Sequence, residues 1–339
     1  MRLLLCGDWL GKEGIYEARI KKLHLLNSLA DLKPVRLGFL VLSYHLAEET
    51  LNLSLKNSPY PKIILLELED FSTFYHSPKD TRLEFLSSSF SPNSYKKAVE
   101  KVREYISEGT VYQINLTNRF EYALEGFPLD LFLNYYEKQP VPYAFFLDLE
   151  DFYLLSGSME LFLEKKGESL ISKPIKGTAK SKGELERSQK DKAENLMITD
   201  MVRNDLSRVA LCGSVKVKEL FKIEEFKTLF QMHSSVVART RETVGRILFE
   251  TFPPASVVGA PKRKAVEIID FLEPHSRDYY CGIGGIVKGE DFTLSVLIRS
   301  AIGFKQRLFY FAGAGIVYDS DPEKEWQEVL LKTKAFRHP

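Results

Sequence analysis

The chain has 339 residues, 44% of them hydrophobic and 27% charged, with a formal net charge of +1. That composition fits a soluble globular protein and excludes disordered and fibrous classes. With no global positive field, neither nucleic acid nor an anionic membrane surface is expected as a partner.

Three cysteines, Cys6, Cys212 and Cys281, lie far apart without metal-type spacing. That usage suits a reducing compartment, so a cytoplasmic protein without disulfides is expected. The first apolar run is broken by Asp8 and is too short for a signal peptide. No stretch approaches the ~20 apolar residues that a membrane-spanning helix needs.

Residues 1–90 mix short apolar runs (39–42, 63–66) with polar loops and read as a β-rich N-terminal portion of the same fold. Residues 91–339 read as the core that carries the chemistry. Ser91 and Pro92 predict a helix start, Tyr95, Ala98, Val99, Val102 and Ile106 follow at helical spacing, and Gly109 ends it. Residues 111–122 alternate as a strand, with Tyr112, Ile114 and Leu116 on one face and Gln113, Asn115, Thr117 and Arg119 on the other.

A helix over 190–206 is expected to bury Ala193, Leu196, Met197 and Met201. Another, over 261–272, is expected to bury Ala265, Ile268, Ile269 and Leu272. Residues 282–287, 293–302 and 308–317 read as consecutive strands, with Arg299 mid-strand. Pro322 opens a last helix with Trp326, Val329 and Leu330 on its apolar side. Sequential strands make a mixed α/β fold with a mainly antiparallel sheet the expectation.

Two helices carry acidic pairs at i, i+3, Asp191 with Glu194 and Glu325 with Glu328. Each pair shares one helix face. Such faces are either solvated or, if two converge, a site for a hard cation such as Mg²⁺. Gly259-Ala260-Pro261-Lys262 opens a helix and suits either a turn or an anion at the helix start. Gly313-Ala314-Gly315 ends a strand, where small residues allow tight packing or close approach of a ligand. Lys176 reads as a surface lysine or as an amine activated by a nearby cation. His233 taken alone reads as a packed or surface histidine, and Arg299 wants a carboxylate partner.

The order of these signals is more specific than any one of them. The stretches 109–120 (GTVYQINLTNRF), 173–184 (KPIKGTAKSKGE), 190–209 (KDKAENLMITDMVRNDLSRV), 252–270, 277–285 (RDYYCGIGG), 295–301 and 312–336 resemble the chorismate-utilising enzymes. That family includes component I of aminodeoxychorismate synthase and of anthranilate synthase and, more distantly, isochorismate and salicylate synthases. The resemblance implies one complex α/β domain of two stacked, mainly antiparallel sheets ringed by helices, with the active site in the cleft between them. It implies Mg²⁺ held by Glu194 and Glu328 with support from Asp191 and Glu325. Tyr280 and Arg299 would clamp the enolpyruvyl carboxylate. Backbone at Gly177-Thr178 and at Gly313, Ala314 and Gly315 would complete the substrate cradle, with His233 near the leaving hydroxyl.

Two positions sort the branches. Where isochorismate and salicylate synthases carry a lysine that activates water, this chain has Gln113, which suits ammonia instead. Lys176 in Pro-Ile-Lys-Gly-Thr stands where anthranilate synthases usually have alanine and resembles the aminodeoxychorismate synthase branch, whose lysine is proposed to attack C2 of chorismate. Amination of chorismate at C4, yielding 4-amino-4-deoxychorismate for p-aminobenzoate and folate, is therefore the expected reaction. A separate glutamine amidotransferase subunit would supply the ammonia and a separate aminodeoxychorismate lyase would act next. Anthranilate synthase component I, or an inactive paralogue that binds chorismate or docks the glutaminase, are the alternatives. Ser158-Met159-Glu160 departs from the family's usual Ser-Pro-Glu.

Overall fold

The computed structural model describes residues 1–226 and 229–337. The described strands, in chain order, are β1 (Arg2–Gly7), β2 (Ile15–Leu26), β3 (Gly38–Leu42), β4 (Ile63–Thr73), β5 (Arg82–Ser88), β6 (Gln113–Glu125), β7 (Tyr143–Asp148), β8 (Tyr153–Ser158), β9 (Leu161–Lys166), β10 (Ser169–Lys173), β11 (Ile175–Ala179), β12 (Lys216–Phe226), β13 (Leu229–Arg239), β14 (Gly259–Ala260), β15 (Ile283–Lys288), β16 (Asp291–Val296), β17 (Ser300–Phe304) and β18 (Arg307–Ile316). The helices are α1 (Ala47–Leu51), α2 (Pro92–Ser107), α3 (Pro128–Lys138), α4 (Lys182–Arg187), α5 (Gln189–Ser207), α6 (Val244–Thr251), α7 (Lys262–Leu272) and α8 (Pro322–Arg337). The fold is the mixed α/β type expected.

Every described pairing is antiparallel. The strands join in one network running β12, β13, β10, β9, β16, β15, β3, β4, β2, β1, β7, β8, β17, β18, β6, β5, with β11 beside β13 and β14 beside β6. The network doubles over, because β3 and β7, separated in it by β4, β2 and β1, pack face to face. The Phe39 and Phe145 rings meet at 5.0 Å and Trp9 closes on Phe39 at 5.9 Å. All three are buried, and truncating one such ring to alanine costs about 3–5 kcal/mol. Folding over also brings the two ends of the network, β11–β13 and β6–β18, toward each other.

Helix α2 forms as the sequence predicts. Ser91 and Ser94 make a reciprocal capping box, Pro92 takes the first turn, and Gly109 follows with φ +72°. Its buried face carries Tyr95, Val99 and Val102, and the Tyr95 hydroxyl donates to Leu116 O at 3.1 Å, tying the helix to β6. Helix α8 buries Trp326 and Val329, and Trp326 lies against Tyr95 at 5.4 Å. Both helices thereby brace the β6–β18 ladder.

Helix α5 differs from expectation. Its buried residues are Asn195, Ile198, Thr199, Val202, Asp205 and Leu206, while Leu196 is exposed. The rotation is set by polar groups that find partners inside. Asn195 Nδ2 donates to Met232 O, Ser234 Oγ donates to Asn195 Oδ1, and Thr199 Oγ1 donates to Asn195 O.

The segment read as one strand over 293–302 is two, β16 and β17, broken at 297–299. Arg299 is not mid-strand. It sits in the break with φ +51°, a left-handed backbone that a non-glycine residue adopts at a cost. Gly313-Ala314-Gly315 lies within β18 rather than at its end, opposite Thr117, Leu116 and Asn115 of β6.

Candidate active site

Strand β6 buries both faces. Ile114 and Leu116 go to the apolar core, while Gln113, Asn115 and Thr117 are buried on the polar side. Gln113 Nε2 donates to Glu194 Oε2 of α5 at 3.3 Å. Gly315 on β18 lies under this contact. A Cβ there would stand 2.5 Å from Gln113 Nε2, 3.2 Å from Glu194 Oε2 and 3.6 Å from Lys176 Nζ. Three side chains from β6, α5 and β11 thus converge over a glycine, which leaves space that any side chain would fill. Gly177, with φ +95°, allows β11 to lie against Asp191, whose Cβ is 3.0 Å from where a Gly177 Cβ would be.

The acidic pairs do approach this point. Lys190 Nζ spans Glu194 Oε1 at 3.9 Å and Glu325 Oε1 at 3.2 Å. Glu325 is buried and also accepts from Ser320 Oγ at 2.7 Å, but its Oε2 has no partner. Glu328 Oε1 accepts from Lys332 Nζ at 2.6 Å, and the same ammonium donates to Gly313 O at 2.7 Å. Among the described residues, no three acidic, histidine or cysteine side chains are already grouped as a ligand set. Lysines stand between them.

The electrostatics follow this pattern. Burial, with Glu328 and Asp191 adding to it, raises the Glu194 carboxyl above its usual range against the pull of Lys176 and Lys190. For Glu328, burial pushes the same way but Lys332, Lys190 and Lys176 outweigh it, and the carboxyl is held low. The Lys190 ammonium is disfavoured by burial, yet Glu325 and Glu194 raise it overall. The region is therefore a dense alternation of acids and lysines, with one buried carboxylate oxygen still unmatched.

The remaining predicted residues lie around this centre. His233 on β13 is buried opposite Ile175. Its Nε2 is 3.4 Å from Glu224 and its Nδ1 has no partner. Tyr280 is buried and stacks on Phe311 at 5.1 Å. Arg299 Nη1 donates to Lys332 O at 2.9 Å, beside the Tyr310 hydroxyl, which donates to the same oxygen. It therefore braces the helix that carries Glu325 and Glu328. Thr178 is exposed on β11 opposite Gln231.

Lys262 is no anion site. Its Nζ donates to Asp205 Oδ2 at 2.7 Å and Thr251 O at 2.8 Å. Its segment is pinned by the β14–β6 pairing.

Four functional candidates escaped the sequence reading. Glu160 is buried and accepts from the N–H of Ile175, the residue before Lys176; burial pushes its carboxyl up to about 7, against Ser256, Lys176 and that N–H. Lys190 and Lys332 are the others at the centre, and the i, i+4 spacing Lys190–Glu194 and Glu328–Lys332 was the available signal. Gln231 is buried with an unpartnered carbonyl oxygen, and nothing in its sequence context marks it.

Residues 35–338 match the family described as chorismate binding enzyme. The chain is 36% identical over 269 residues to anthranilate synthase component 1 of Saccharolobus solfataricus, covering 76% of this chain and 64% of that protein. It is 38% identical over 258 residues to aminodeoxychorismate synthase component 1 of Escherichia coli, covering 72% and 57%. The chain thus spans less than two thirds of the length of these relatives. In fold it is similar to anthranilate synthase component I of Streptococcus pneumoniae, with a TM-score of 0.80 at 22% identity, covering 99% of this chain and 90% of that one. The isochorismate synthase MenF of Escherichia coli superposes with a TM-score of 0.78 at 17% identity, covering 99% and 88%. With the family match spanning nearly the whole chain, the protein belongs to the chorismate binding enzymes.

Proposed function

We propose that the chain aminates chorismate at C4, the reaction of an aminodeoxychorismate synthase component I. The observation that carries this reading is the convergence of Lys176 Nζ, Gln113 Nε2 and Glu194 Oε2 over Gly315. An amine, an amide and a carboxylate stand around one point, and the Glu160 carboxyl, pushed up to about 7 by burial, feels the charge of that amine.

The carboxylates fit a divalent cation. Glu325 Oε2 is a buried acceptor without a donor, and Glu194 is raised by burial among like charges. Oxygen donors of this kind suit Mg²⁺. Glu194, Glu325 and Glu328 would hold it, with Asp191 behind, and Lys190 and Lys332 would turn aside. Bound there, Mg²⁺ would supply Lewis-acid stabilisation to the ring carboxylate and the departing hydroxyl.

The chain's own residues then account for the rest. Lys176 gives up a proton and its Nζ forms a bond to C2. Both ring double bonds shift, C1=C2 to C1=C6 and C5=C6 to C4=C5, and the C4–O bond breaks. Glu160 protonates the departing hydroxyl, which leaves as water; a buried carboxyl near 7 can deliver its own proton and then take up the one that Lys176 sheds. Ammonia, held by the Gln113 amide, adds at C4, both double bonds shift back, and Lys176 is expelled from C2. Ammonia replaces water and pyruvate is retained. Tyr280 and Arg299 flank the far carboxylate. The "component 1" in the relatives' names supports a separate partner that delivers ammonia from glutamine.

Relatives named anthranilate synthase match at comparable identity, so amination at C2 with loss of pyruvate is the second reading. Incubation with chorismate, Mg²⁺ and ammonium separates the two. p-Aminobenzoate appearing on addition of aminodeoxychorismate lyase supports the proposal, and fluorescent anthranilate formed without the lyase overturns it.

A further inference from the structure

We infer that Gln231 is a further substrate-positioning residue, whose side-chain carbonyl accepts a hydrogen bond from the C4 hydroxyl of chorismate. The inference rests on chorismate being the substrate, but not on which carbon is aminated.

Buried acceptors without donors are rare in folded proteins and mark places where another partner belongs. Among the described residues, the buried side-chain atoms without a partner include Gln113 Oε1, Gln231 Oε1, His233 Nδ1 and Glu325 Oε2. Three of these sit on residues already placed around the reaction. Gln231 is the fourth. It lies two residues before His233 on β13, so the two share a face. It pairs with Thr178, two residues after Lys176. It is 3% exposed. Its amide Nε2 is turned to Met159 Sδ, the residue before Glu160. Sulfur is only a weak acceptor, so this contact orients the amide without satisfying it, and the carbonyl oxygen is left facing away from Met159.

The chemistry of the ligand selects the partner. Chorismate carries two carboxylates, an enol ether and one hydroxyl. At neutral pH that hydroxyl is its single strong hydrogen-bond donor. In the proposed reaction the hydroxyl oxygen receives a proton from Glu160, so its own O–H must point to an acceptor. Gln113 serves ammonia and Glu325 serves the cation, and His233 Nδ1 accepts in only one tautomer of the ring. The Gln231 carbonyl, held by the neighbour of Glu160, is an acceptor in every state. As the C4–O bond breaks, the departing water keeps the same donor, so the contact lasts through the step.

The test compares binding of chorismate with binding of its 4-deoxy analogue, which lacks the hydroxyl. Titration calorimetry with Mg²⁺ and without ammonium reads both, in the wild-type chain and in Gln231→Met, which keeps length and removes the acceptor. Wild type is expected to prefer chorismate by roughly tenfold or more, the effect of leaving a buried acceptor unmatched. In Gln231→Met that preference should fall toward one, with the analogue bound as well as before or better. Because the preference is a ratio within one protein, a partly unfolded preparation does not alter it. Gln231→Asn, which withdraws the carbonyl by one methylene, gives the same reading if the methionine variant does not fold. An unchanged preference in a variant that binds chorismate overturns the role of Gln231 alone. Wild type that binds neither compound overturns the substrate reading and this inference together.

Discussion

Gln113 Nε2 and Glu194 Oε2 meet at 3.3 Å across the gap between β6 and α5, while Gln113 Oε1 is buried without a partner. One amide is thereby held by a carboxylate and keeps its acceptor free. Replacing Gln113 by leucine should raise the ammonium KM by roughly ten- to a hundredfold, since one buried hydrogen bond to a ligand is worth about 1–3 kcal/mol. Chorismate binding should change little. Replacing it by lysine should divert turnover to water, with a hydroxylated product that chromatography separates from the aminated one. Normal ammonium kinetics in Gln113→Leu would refute the role.

Lys176 and Glu160 act as a pair in the proposed reaction, and each gives its own signature. Lys176→Ala should lower amination at least about a thousandfold, as expected for a lost nucleophile, while chorismate still binds. Glu160 must be protonated to release the hydroxyl, and its protonated fraction falls as pH rises through about 7. The rate should therefore decline above that pH in wild type. Glu160→Gln should be slow and lack that alkaline limb. The same limb in the variant would assign it to another group.

Lys190 lies 3.2 Å from Glu325 and 3.9 Å from Glu194, in the position of a competing cation. Glu194→Gln and Glu328→Gln should each weaken Mg²⁺ binding by at least roughly tenfold. Lys190→Met should strengthen it, by about 1 kcal/mol or some fivefold, because a like charge is removed from a partly buried site. Metal titration without substrate measures all three. Weaker binding in Lys190→Met would show that the lysine supports the site rather than guards it.

The strong local patterns were legible in the sequence and the polar interior was not. Ser91, Pro92 and Gly109 bracket α2 because caps and periodicity are local. The polar face of β6 was readable from alternation, although only the structure shows it buried. Helix α5 misled because Asn195 and Thr199 look solvent-facing, yet Asn195 finds its partners Met232 and Ser234 on β13, far along the chain, and Thr199 bonds to Asn195. Arg299 looked mid-strand because Val296, Leu297 and Ile298 are apolar, and no local rule reveals the left-handed turn that breaks them. Glu160 and Gln231 depend on long-range burial, which spacing does not encode. Family motifs placed Lys176, Gln113 and Glu194 together where residue patterns alone could not.

Lys262 shows the same effect at a site that proved structural. Its ammonium and Asp205 form a buried pair at 2.7 Å, linking α7 to α5. Asp205→Asn leaves a buried lysine without its counter-charge and should destabilise the fold by about 3–5 kcal/mol. The paired change Asp205→Leu with Lys262→Met should recover much of that loss. Denaturant unfolding of the two proteins decides it. Equal losses would mean that packing, not charge, dominates there.

His275 offers a test of the network beneath β6. It is buried against Glu273, Thr117 and Ser89. Arg277 donates to Glu273, to Asn115 O and to Val257 O, so the cluster fixes the strand that carries Gln113. Burial lowers the imidazole from 6.5 to about 4, with Glu273 opposing it in part and Arg277 adding to it. The unfolded chain takes up this proton near 6.5 and the folded one only near 4. Between those values the unfolded state holds more protons, so stability falls as pH falls. The full loss is about 3 kcal/mol near pH 4. Glu273 is held low by Arg277 despite its burial, and it adds its own loss only below the ordinary carboxylate range. His275→Gln should therefore flatten the decline between pH 6.5 and 4.5 while leaving the steeper one below it. Thermal unfolding across this range measures the difference, and a parallel decline in the variant would place the proton uptake elsewhere.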